Sequence, residues 1–135
     1  MIEFPFEKVR LKNLGLLMKP FIPVKIIGPG RSVNLRMLLD SGADISLIPY
    51  SVGEVIGLEP DLANRNELYG VGEGSVSYLL THVKIKIKDI ESSIRIGWAL
   101  IEEVPFILGR LDVFQKFAIE FREFENRILL KQPDE

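Results

Sequence analysis

Asp40, Ser41 and Gly42 are the residues whose types and spacing offer chemistry. The apolar run Met37-Leu38-Leu39 leads directly into them, and Ala43, Asp44 and a second apolar run follow. Three consecutive apolar residues read as a strand buried on both faces. A carboxylate at the end of such a strand is costly unless something uses or satisfies it. Ser41 adds a hydroxyl, and Gly42 lets another group approach the backbone closely. The plain alternative is a strand-to-turn signal, since Asp, Ser and Gly all favour turns. On composition, an Asp-Ser/Thr-Gly triplet arises by chance in roughly one chain of this length in twenty.

Other candidate chemistries fall away on context. The run Gly70-Val71-Gly72-Glu73-Gly74 would cradle phosphate only if a helix followed, and an alternating strand follows instead. Ser41, Ser46 or Ser75 could be paired with His82 as a hydrolase. None of the three serines sits in Gly-x-Ser-x-Gly, and His82 lies on a strand between Thr81 and Val83. Without cysteine and with a single histidine, the chain excludes disulfides, thiolate catalysis, Cys-ligated zinc and any site that needs two histidines. No metal cluster is visible and no cofactor is implied.

These residues need a scaffold, and 135 residues suit one domain, 1–135, with a small but real core. A net charge of −2 gives no electrostatic case for nucleic acid or an anionic membrane. Residues 1–12 alternate apolar and charged types, unlike a secretory signal. The apolar window 14–27 is interrupted by Lys19, Pro20, Pro23 and Lys25 and is too short to span a bilayer. The expectation is a soluble, cytoplasmic protein.

In chain order, residues 2–11 form an edge strand. Residues 21–27 and 32–39 pair as a hairpin around Gly28-Pro29-Gly30. The stretch 46–56 is ambiguous: Pro49 suits a first helical turn, Ser51 a cap and Gly57 a stop. Residues 59–66 are polar loop. In 75–88, Val83, Ile85 and Ile87 alternate with Lys84, Lys86 and Lys88, as in a half-exposed strand. Strands are expected at 94–101 and 105–108. Leu111, Phe114 and Phe117 have helical spacing, enough for two turns over 111–117. A hairpin, about 118–130, closes the chain. Short strands with frequent turns indicate an all-β fold with one or two short helices. A weak echo links Val24-Lys25-Ile26, leading to Leu38-Leu39-Asp40, with Val83-Lys84-Ile85, leading to Ile107-Leu108-Gly109. It suggests a pseudo-symmetric half barrel.

Leu38-Leu39-Asp40-Ser41-Gly42-Ala43-Asp44, the glycine-rich hairpin about 30 residues on, and Ile107-Leu108-Gly109-Arg110 together resemble the retroviral-type aspartic proteases, the retropepsins. The stretch 19–26 resembles the first strand of that fold. The resemblance covers residues 19–117 and implies a closed β-barrel that is half of a two-fold symmetric enzyme, a homodimer acting on extended peptide. By it, Asp40 and its symmetry mate form the catalytic dyad. One ionised carboxylate takes a proton from water while the other, protonated, polarises the scissile carbonyl. Carboxylates about 3 Å apart share one proton and divide those roles. Ser41 matches the hydroxyl residue that reaches across the dimer axis, and Gly42 leaves room for the substrate backbone. Asp44 and Arg110 match a buried ion pair that braces the active-site loop. Residues 68–78, with Gly70, Val71, Gly72, Glu73 and Gly74 at the tip, match the flap.

The chain departs from that pattern in its 18 leading residues and its C-terminal hairpin. Retroviral enzymes dimerise by interleaving short terminal strands, so a differently built interface is expected here. Ile45 replaces a second acid and makes the cleft more apolar. The alternative function is a catalytically silent peptide-binding or dimerisation module of the same fold.

Overall fold

The computed structural model describes residues 1–69 and 74–133. Three short strands open the chain: β1 (Ile2–Phe4), β2 (Glu7–Leu11) and β3 (Gly15–Lys19). The barrel strands follow, with β4 (Phe21–Ile27), β5 (Ser32–Leu39) and β6 (Ser46–Ile48) leading into helix α1 (Tyr50–Val55). After a short turn at Leu62–Asn64 come β7 (Arg65–Tyr69), β8 (Ser75–Ile87), β9 (Ile90–Ala99) and β10 (Ile107–Leu108). The closing hairpin is β11 (Ala118–Arg122) and β12 (Arg127–Lys131). No helix among the described residues is long and apolar enough to cross a membrane.

Six strands close on themselves in the order β4, β5, β10, β6, β9, β8 and back to β4, with β7 added outside β8. Alternation explains why they close. Ile22, Val24 and Ile26 of β4 and Val83, Ile85 and Ile87 of β8 are buried in one core, while Lys84 and Lys86 stay exposed. Each such side chain contributes roughly 1.5–3 kcal/mol of transfer free energy. The seam that closes the barrel is the antiparallel pair β4–β8, with Ile26 opposite Ile85.

The internal repeat is present, with a different correspondence from the expected one. Hairpin β4–β5 is answered by β8–β9, and β6 by β10. Parallel pairing of β5 with β10 is mirrored by that of β9 with β6. Ile107-Leu108 therefore does not repeat Leu38-Leu39. It lies beside that pair in parallel register, and its counterpart is Leu47-Ile48 in β6.

The expected edge strand over residues 2–11 is two strands in different sheets, separated at Pro5, whose missing N–H suits a break in pairing. β1 joins β12 and β11 in a three-stranded sheet, so both edges of the C-terminal strand are paired within the chain. β2 and β3 form a separate hairpin. The polar stretch 59–66 is not all loop, because β7 begins at Arg65. The helix expected over 111–117 is also corrected. Leu111 is extended (φ −60°, ψ 124°) and Asp112 is left-handed (φ 64°, ψ −14°). Only one helical turn remains, closed by the Phe117 N–H on the Val113 carbonyl. The interruption lies at Asp112, whose left-handed backbone and three bonds from Arg95 separate Leu111 from that turn.

Candidate active site

β5 delivers Asp40 to the point where the chain leaves the barrel wall. The Leu38 N–H donates to the Phe106 carbonyl, the Leu39 N–H to the Pro20 carbonyl and the Asp40 N–H to the Leu108 carbonyl, at 2.9, 2.9 and 3.0 Å. Both sides of the strand end are thus held to the last residue. Beyond it the chain turns tightly. The Asp40 carbonyl accepts from the Ala43 N–H at 3.2 Å, and Asp40 Oδ1 accepts from the Gly42 N–H at 2.9 Å. The carboxylate is half-buried with one oxygen oriented by the backbone, and Ser41 and Gly42 are exposed beside it.

A second loop, after β10, clasps the first. The Arg110 N–H donates to the Ala43 carbonyl and the Leu111 N–H to the Asp44 carbonyl, both at 2.9 Å. The fully buried Ser46 hydroxyl accepts from the Gly109 N–H at 3.0 Å. A Cβ at Gly109 would lie 2.3 Å from the Ile45 carbonyl oxygen, so only glycine allows these backbones to meet.

Asp44 and Arg110 lie side by side in this clasp, but among the described residues no ion pair joins them, and both are exposed. Their main chains make the connection that a buried ion pair was expected to make. In water such a pair would add little, because exposed ion pairs contribute about 0–1 kcal/mol. The carboxylate that braces this loop is Asp112. It accepts from the Arg95 N–H, Nε and Nη2, each at 2.9 Å. The Arg95 side chain holds the Asp112 carboxyl at about 2, against the opposing effect of burial. Ser46, Arg95 and Asp112 were missed as supporting residues. Nothing local distinguishes them, apart from an Asp just after Gly109-Arg110.

A cleft of about 440 Å³ opens over Asp40. Asp40, Ala43, Ile45 and Ile107 line it from the barrel, and Leu68, Tyr69 and Val76 from the β7–β8 hairpin. Leu68 pairs with Val76 and Tyr69 with Ser75, so the stem of the expected flap is a regular ladder facing the carboxylate. Glu67 stiffens that stem by accepting from the Ser77 and Ser75 hydroxyls at 2.7 and 2.9 Å. These bonds, with Arg65 nearby, lower its pKa. Gly74 has φ +96°. Gly70, Val71, Gly72 and Glu73 lie outside the described residues. His82 is exposed on β8 opposite Arg95 and does not line this cleft. Among the described residues no three His, Cys, Asp or Glu side chains converge as metal ligands.

No protein-family model and no curated protein matches the sequence. Solved structures do. The protease of EIAV, complexed with the inhibitor HBY-793, shares 29% identity with a TM-score of 0.53, over 78% of this chain and 91% of that one. The retroviral protease-like domain of Ddi1 from Leishmania major aligns at 18% identity and TM-score 0.61, covering 84% and 89% of the two chains. A retropepsin-like aspartic protease from Rickettsia conorii aligns at 15% identity and TM-score 0.60, covering 96% of this chain and 99% of its own. Over most of its length the chain thus matches retroviral and retropepsin-like aspartic proteases in structure, and its fold is the retropepsin-like one.

Proposed function

We propose that this chain is one half of a homodimeric aspartic endopeptidase, in which the two Asp40 carboxylates activate a water against a peptide bond. The observation that carries the reading is the placement of Asp40. It is half-buried and backbone-oriented on the floor of an apolar cleft that a β-hairpin faces from the other side. A single carboxylate cannot act as general base and general acid in the same step, and the reading takes the second from Asp40 of a symmetry-related subunit. Water is then the nucleophile and no covalent intermediate forms. Closure of the 68–78 hairpin would exclude bulk water and hold an extended peptide by main-chain hydrogen bonds. Ser41, exposed beside Asp40, would meet its counterpart across the axis in this reading, and the apolar lining of Ile45, Leu47 and Ile107 suits apolar substrate side chains.

The test is subunit mixing with Asp40→Asn. This substitution preserves size but cannot supply the ionised base, so the all-mutant dimer should lose turnover by at least about 10²–10⁴-fold. Excess mutant titrated into wild type, with time for exchange, should extinguish activity as mixed dimers form. Activity that instead tracks the wild-type fraction linearly would mean that each subunit works alone. A wild type that dimerises and binds peptides without cleaving any would indicate the catalytically silent module.

A further inference from the structure

The β2–β3 hairpin is not explained by the barrel or by the cleft. Its strands pair only with each other and join neither of the other sheets. An isolated two-stranded hairpin is at best marginally stable in water. Its root is tethered by the Glu7–Arg36 ion pair at 3.5 Å and by Met18, which packs on the core. Val9 and Leu17 are half-buried, but toward the tip the apolar residues find no cover: Leu11 is 38%, Leu14 70% and Leu16 50% exposed. They cluster around a turn where Gly15 has φ +75° and open space about it. Exposed Lys8, Arg10 and Lys12 lie among these leucines.

We propose that this hairpin is a dimerisation arm whose leucine tip docks on a second copy of this chain. The inference rests on the reading of Asp40 as half of a dyad, because that reading places the two-fold axis beside Asp40. The arm is rooted close to that axis. Lys19 ends β3, and the next residue, Pro20, accepts the Leu39 N–H one position before Asp40. Strands of five residues extend roughly 16 Å, far enough to bring the tip onto a neighbouring subunit. β12 cannot itself take a strand from a second copy, since both its edges are already paired with β1 and β11, which leaves only the outer edges of those two strands open in that sheet. A standard interface takes about 20–30 residues per partner. The arm, residues 7–19, supplies 13 of them, which leaves the remainder to the surface that receives its mate.

The test uses the full chain. Sedimentation velocity over a concentration series should give a dimer for the wild type. For Leu14→Asp/Leu16→Asp, loss of two buried apolar side chains per arm should raise the dissociation constant at least about hundredfold. Trp98 fluorescence should be unchanged, since that side chain is buried in the barrel core. Because the chain has no cysteine, Leu14→Cys carrying a benzophenone label provides a second measurement that leaves the fold alone. Irradiation should yield a cross-linked dimer. An unchanged dissociation constant for the aspartate variant, or labelled chains that stay monomeric on irradiation while the wild type dimerises and cleaves peptides, would overturn the arm and leave the protease reading intact. A dimer that depends on the arm but cleaves nothing would support the arm and remove the protease. A wild-type monomer at every concentration would overturn both.

Discussion

Arg95 and Asp112 are joined three times over, by the Arg95 backbone N–H and by Nε and Nη2 of its side chain, all at 2.9 Å. The pair ties the loop after β10 to the middle of β9, and the same loop clasps the chain segment that carries Asp40. It also holds Asp112 in a left-handed conformation that few residues other than glycine, Asn and Asp tolerate.

Asp112→Asn should therefore keep the backbone and lose the charge. The Arg95 side-chain bonds are the main reason the Asp112 carboxyl sits at about 2. A depressed carboxyl contributes stability that is complete above the ordinary Asp range, near pH 4. It is lost as pH falls through about 2. Arg95 is partly solvated, which trims the contribution to on the order of 1 kcal/mol. The expected result is a melting temperature about 3–5 °C lower at neutral pH. The difference from wild type should shrink between about pH 4 and pH 2. A constant difference over that range would show that the charge is not what matters.

Ser46→Ala removes the acceptor of the buried Gly109 N–H. An orphaned buried donor costs about 1–3 kcal/mol, and the loss falls on the contact that seats the Asp40 loop. Chemical denaturation should show that loss, with an unchanged m-value, and kcat should fall more than KM rises.

Gly74→Val puts a β-branched residue at φ +96°, where nothing packs against it. The strain, on the order of 1–3 kcal/mol, should be relieved by moving the exposed hairpin, leaving the barrel untouched. Turnover should drop about tenfold or more at an unchanged melting temperature. Full activity would separate the 68–78 hairpin from catalysis.

Dilution gives a test without substitution. If each chain supplies one carboxylate, specific activity should fall once the concentration drops below the dimer dissociation constant, and should recover on reconcentration. Specific activity independent of concentration, in a sample shown to be monomeric, would exclude a dyad shared between chains.

Much of this protein is determined within short windows of sequence. The Val83, Ile85, Ile87 alternation against Lys84 and Lys86 sets both the strand and its buried face. Gly28-Pro29-Gly30 sets a turn between two strands, and Met37-Leu38-Leu39 brings Asp40-Ser41-Gly42 to a strand end. These are period-two and turn preferences that a few neighbouring residues settle among themselves. Pairing between distant segments was decided only in three dimensions. β4 meets β8, and β10 slides in beside β5, because the whole barrel must bury its apolar faces and satisfy its backbone at once. That global demand overrode the helical spacing of Leu111, Phe114 and Phe117, since Asp112, bonded to Arg95 on β9, takes a left-handed backbone that breaks the helix after Leu111. It also replaced the expected Asp44–Arg110 ion pair by main-chain bonds and gave the bracing charge to Asp112 and Arg95. Those two residues are 17 positions apart, and no local pattern says that they will meet.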